Sequence, residues 1–109
     1  MRSIPCELEA VLHIFSHDEE LRSKALPHVD VDLQAINWSG IFAQHYGSGH
    51  YAAVLWACSI WRDAPPSEWE GNPFNAAFSM DAGLRRAVLR ALAIRWSISI
   101  DGLRALRNA

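Results

Sequence analysis

The sequence is short of most features that announce a chemistry. Two cysteines, Cys6 and Cys58, are too few for a disulfide framework. No apolar run approaches the roughly 20 residues that a membrane-spanning helix needs. The N-terminus turns polar and acidic after Arg2, without the apolar core of a signal peptide. These absences make the cytoplasm the expected location and leave no membrane partner. Lys24 is the only lysine, so almost all positive charge is arginine, which suits bidentate pairing with carboxylate or phosphate. Neither a zinc-protease His-Glu-x-x-His nor a Gly-x-Ser-x-Gly nucleophile turn occurs. The expectation is therefore a protein that is not an enzyme and carries no metal and no cofactor. Strand signals are equally scarce. Val29-Asp30-Val31-Asp32 alternates, but it is short and has no evident pairing partner.

What is present is apolar and helical. Half of the 109 residues are hydrophobic, enough for one core and a single helical domain over 1–109. Tyr51 to Trp61 contains one polar residue, Ser59. A helix without a polar face is a buried helix, so about 50–62 reads as a central rod. The predicted fold is all-α, a small irregular bundle of about five helices around that rod. Five tryptophans are more than one core of this size hides, so one or two should reach the surface.

Caps and breakers place the other helices. Pro5 to Phe15 carries Leu8, Val11, Leu12 and Phe15 at helical spacing, with Ser3 as its cap. Ser16 with Glu19 reads as a capping box for a helix to about Leu26, ended by Pro27. Asp30 or Asp32 is expected to cap a short helix through Ile36, and Ser39 another over Gly40 to Tyr46. Gly47 is expected in the left-handed region, with Ser48 capping the rod. Beyond the rod, 62–73 is a Pro-rich loop with one helical turn at Ser67 to Glu70. Asn72-Pro73 then opens a short helix bearing Phe74 and Phe78. Asp81 caps the helix 82–98, and Asp101 a last turn.

Charge is unevenly spread. Residues 1–81 hold four bases against eleven acids, whereas 82–109 hold six arginines against Asp101 alone. Such asymmetry points either to mutual neutralisation within the fold or to an acidic or nucleic-acid partner.

Four constellations bear on function. Gly47-Ser48-Gly49-His50-Tyr51-Ala52 matches the spacing of a dinucleotide fingerprint, but no strand precedes it. What survives is a weak anion-site alternative at Ser48, Gly49 and His50, where the rod's first N–H groups point outward. Glu9, His13 and His17 are four apart, as metal ligands can be, but no further ligand pair completes them. Arg86 and Arg90 share the polar side of 82–98, while Arg95 falls in its apolar arc with a covered stem. The aromatic load exceeds what one core needs, and Trp38 and Trp69 are the candidate partner anchors.

No motif matches a family whose activity could be carried over. The functional expectation is a small cytoplasmic adaptor or regulatory domain that binds a protein, or itself, through Trp38, Trp69, Arg86 and Arg90. The alternative is a nucleic-acid-binding regulator using the arginine helix.

Overall fold

The computed structural model describes residues 4–63 and 72–98. Their architecture is all-α with one small ribbon. The order is α1 (Cys6–Phe15), α2 (Glu19–Lys24), β1 (Val29–Asp30), β2 (Ala35–Ile36), α3 (Trp38–Phe42), α4 (Ser48–Arg62), α5 (Pro73–Ala76) and α6 (Ala82–Trp96). Single 3₁₀ turns at Leu26–His28 and Ala77–Ser79 join α2 to β1 and α5 to α6. The expected Ser3 cap, the Ser67 to Glu70 turn, Trp69 and the turn after Asp101 lie outside the described residues. Among those described, no helix is long and apolar enough to cross a membrane.

α4 is the rod. Ala52, Ala53, Val54, Leu55, Ala57, Cys58 and Ile60 are all buried, and Ser59 donates its hydroxyl back to the Leu55 carbonyl at 2.9 Å. Alanine at so many positions keeps the helix thin, so α1 and α6 can both close on it. α1 contributes Leu8, Ala10, Val11, Ile14 and Phe15 to the core; α6 contributes Leu84, Val88 and Ala91. α1 packs most extensively against α6 and next against α4, so these three helices form the main layer. Leu21, Ala25, Ile41 and Met80 close it from the shorter elements. Among the described residues every buried side chain is apolar. Each large one contributes about 1.5–3 kcal/mol from burial.

Local chemistry explains where the chain departs from expectation. Asp18, not Ser16, caps α2: its carboxylate accepts from the Leu21 N–H at 3.0 Å, while Ser16 ends α1. Both residue types cap well, and the tertiary partner of Asp18 decides between them. No helix forms at 30–36. Asp30 accepts from the Leu33 N–H at 3.0 Å, an Asx turn that folds the chain into a hairpin. Val29 then pairs with Ile36 and Asp30 with Ala35, so the alternating segment does have a strand partner. Asn37, not Ser39, caps α3, which ends at Phe42.

Gly47 is not left-handed. Its φ is −67° and ψ 165°, the extended geometry of an N-cap, and Ser48 is the first residue of α4. Gly49 is the residue that must be glycine. A Cβ there would lie 2.8 Å from the Ser79 carbonyl oxygen, so the first turn of α4 sits directly against the 3₁₀ turn before α6.

Two predicted caps hold as read. Asn72 accepts from the Phe74 N–H at 2.9 Å with Pro73 in the first turn of α5. Asp81 accepts from the Leu84 N–H at 2.8 Å. α6 stops at Trp96, two residues early, because Ser97 turns left-handed at φ 57° and Ile98 bonds back to the Ala93 carbonyl.

Candidate functional site

α6 presents two different edges because of its helical period. Gly83, Arg86 and Arg90 lie along one, and Leu89, Leu92 and Trp96 along the other. Each edge borders a cavity.

The first cavity is a cleft of about 220 Å³ between α6 and the end of α1, lined by His13, Ser16, His17, Gly83, Arg86, Ala87 and Arg90. His13 comes from the last turn of α1; Ser16 ends that helix and His17 follows it. Gly83 makes room for the His17 ring, since a Cβ would stand 3.3 Å from its Nε2. Arg86 and Arg90 are exposed, and neither has a carboxylate partner among the described residues. Burial pushes the His13 pKa down, and the positive Arg90 and His17 push it further, against an opposing pull from Glu9. Arg22 adds charge at the rim by donating to the Ser16 carbonyl at 3.1 Å.

The histidines weighed as metal ligands therefore face arginines, not further ligands. Among the described residues, no three His, Cys, Asp or Glu side chains are placed to hold a metal ion. The sequence showed both halves of the cleft, the histidine pair and the arginine pair. Seventy residues of chain separate them, and nothing in the pattern says that they meet.

The second cavity is a niche of about 100 Å³ between α4 and α6, lined by Trp56, Ser59, Ile60, Asp63, Leu92, Arg95 and Trp96. Phe74 of α5 meets Trp56 edge-on, with ring centroids 4.8 Å apart. Phe74 is 72% exposed, Phe78 83% and Trp96 62%. Sequence reasoning passed over these three as anchors. Their signal was visible as aromatics on short or terminal helical turns, where a core has no room for them.

Trp38 behaves differently from the anchor expected of it. It is half-buried, with its ring 6.0 Å from Phe15 and 6.2 Å from Phe42, and its buried Nε1 has no acceptor among the described residues. It works as packing beneath α3. Trp69 cannot be placed, because it lies outside the described residues.

The start of α4 is ringed by acid. His50 Nε2 sits 2.7 Å from Asp18 and its Nδ1 3.3 Å from Glu20. Burial raises the Asp18 pKa, but the Leu21 N–H and His50 outweigh it and leave the carboxyl below its ordinary value. Two carboxylates thus already face His50, Gly49 is closed by the Ser79 carbonyl, and Ser48 points to solvent. Ser48, Gly49 and His50 form a joint between α2, α4 and the turn before α6. No ion pair joins Arg86 or Arg90 to Asp18, Glu19 or Glu20, which face His50 or, for Glu19, Arg22.

Comparison with protein-family models, with curated proteins and with solved structures finds no match to this chain.

Proposed function

We propose that this chain is a cytoplasmic, non-enzymatic adaptor or regulatory domain that binds another protein through the apolar rim of α5 and α6. The observation that carries this reading is the exposure of Phe74 and Trp96, both adjoining the half-buried Trp56. Exposed aromatics beside a small apolar niche are the usual form of a binding hot spot. Leu89, 48% exposed, continues the rim about two turns from Trp96. The partner is a protein segment with an apolar side chain for the niche and acidic residues around it. Arg95, which lines the niche, supplies the complement. Cys6 and Cys58 form no disulfide among the described residues, which fits a reducing compartment.

Nucleic acid is the second reading, favoured by Arg86 and Arg90, which are exposed and have no ion-pair partner among the described residues. It offers little charge. About four arginines give a log–log salt slope near −3 to −4. Acids elsewhere in the chain oppose a duplex only where they stand within the screening length of about 8 Å.

The experiment compares affinity purification with the tagged wild type, with Leu89→Ser/Trp96→Ser and with Arg86→Ala/Arg90→Ala. One defined protein retained by the wild type, lost by the first variant and kept by the second supports the proposal. Retention of that protein by Leu89→Ser/Trp96→Ser removes the rim as the surface. A mobility shift at about 0.15 M salt that Arg86→Ala/Arg90→Ala abolishes replaces it with nucleic-acid binding.

A further inference from the structure

We propose that the cleft between the end of α1 and α6 is a binding site for a phosphate dianion, free or as a phosphomonoester. It is held by Arg86 and Arg90 with His13, His17 and Ser16. The cleft lies on the opposite edge of α6 from the apolar rim, so it stands independently of the protein-binding reading.

Three observations converge. First, the lining contains four basic side chains and a hydroxyl but no carboxylate. The nearest acids are otherwise engaged, Asp81 beside Gly83 and Glu19 with Arg22 among them. Asp81 caps α6 through Leu84, Asp18 is bonded to Leu21 and His50, and Glu9 lies one turn before His13 and is exposed. Second, the two arginines lie one turn apart on a single helix and have no protein partner among the described residues. Two guanidinium forks can pair bidentately with the oxygens of a phosphate, and two cations match its double negative charge. Third, burial, then Arg90 and His17, disfavour a charge on His13, and an anion between these groups would favour its charged form.

Size narrows the ligand. Drug-sized ligands occupy roughly 300–1,000 Å³, so a cleft of about 220 Å³ takes a phosphate headgroup and leaves its carrier outside. A helix end assists, since Arg22 covers the Ser16 carbonyl at the unfavourable end of α1. The same arginines argue against a metal, which they would repel from the two imidazoles.

The test follows the imidazole NMR resonances during titration with inorganic phosphate, glycerol phosphate and a phosphoseryl peptide. Saturable shifts at His13 and His17, with His28 and His45 unmoved, are expected. Whichever probe binds most tightly names the source of the phosphate. Arg86→Gln and Arg90→Gln should each weaken binding about tenfold, the factor carried by one charge-assisted hydrogen bond. Both side chains are exposed, so the melting temperature should not move. Non-saturating shifts, shifts spread over all the histidines, or undiminished affinity in both variants would overturn the proposal. So would zinc that binds tightly in place of phosphate.

Discussion

A Cβ built on Gly49 would stand 2.8 Å from the Ser79 carbonyl oxygen, whereas one on Gly47 meets nothing within 4 Å. The two glycines, two residues apart, therefore respond oppositely to substitution. Gly49→Ala forces backbone apart and should cost about 1–3 kcal/mol. Gly47→Ser keeps an extended cap, adds an acceptor for the first N–H groups of α4 and stiffens the unfolded chain. It should stabilise by about 0.5–1 kcal/mol. Urea unfolding of the two variants checks both signs. Titration adds a second residue-scale expectation. The Asp18 carboxyl is lower in the folded protein than its ordinary 3.8. Its contribution is thus complete above that value and is lost as the pH falls through the folded value. Tyr46 works in the other direction. Burial, then the Glu20 carboxylate, pushes its pKa from 10.0 up to about 12. That contribution is complete below pH 10 and is lost as the pH rises towards 12. Unfolding midpoints against pH should show both limbs. Asp18→Asn should flatten the acid limb and Tyr46→Phe the alkaline one.

Among the elements, α4 carries the most because its side chains are small. Ala53, Val54, Ala57 and Cys58 show no exposed surface, as the rod predicted from sequence requires. Ala57→Leu adds volume where the packed core leaves none, and should lower stability by about 1–3 kcal/mol. A melting temperature equal to the parent's would mean that α4 is not the packing centre. The caps of α5 and α6 were readable in advance because Asn72-Pro73 and Asp81 satisfy N–H groups in their own first turn, a purely local interaction. The cap of α2 was not. Ser16, Asp18 and Glu19 offer competing local solutions, and His50, 32 residues away, settles the matter by taking the other oxygen of Asp18. The hairpin was missed for a related reason. β1 and β2 are two residues each, too short for a pattern, and an Asx turn rather than β-propensity brings them together.

Across the whole molecule, Arg95 joins parts that the chain keeps far apart. Its guanidinium lies 3.4 Å from the Ile60 carbonyl, 3.7 Å from Asp63 and 3.8 Å from the Cys6 sulfur, while the Cys6 thiol faces the Arg95 carbonyl at 3.5 Å. The start of α1, the end of α4 and the end of α6 meet there. Arg95→Ala removes both stem and head and should destabilise by about 1–2 kcal/mol. Arg95→Met keeps the apolar stem and should recover part of that loss. Equal denaturation midpoints for the two variants would mean that the stem contributes nothing.

Composition and period by themselves determined the class of this fold. A continuous apolar run rich in alanine has to be a buried helix, and amphipathic segments with local caps have to pack around it. They also determined that Arg86 and Arg90 face outward and that the Arg95 stem is covered, because a helix keeps its faces whatever lies beside it. The tertiary structure alone decided which faces meet. Trp38 went inward because Phe15 and Phe42 stand on either side of it, while Trp96 and Phe74 stayed out because α4 and α6 enclose only a small niche between them. The histidines of α1 and the arginines of α6 became one cleft because those two helices share the largest interface in the protein. Helical period reports the face of an element, and the neighbour that covers it is chosen by the packing of the whole chain.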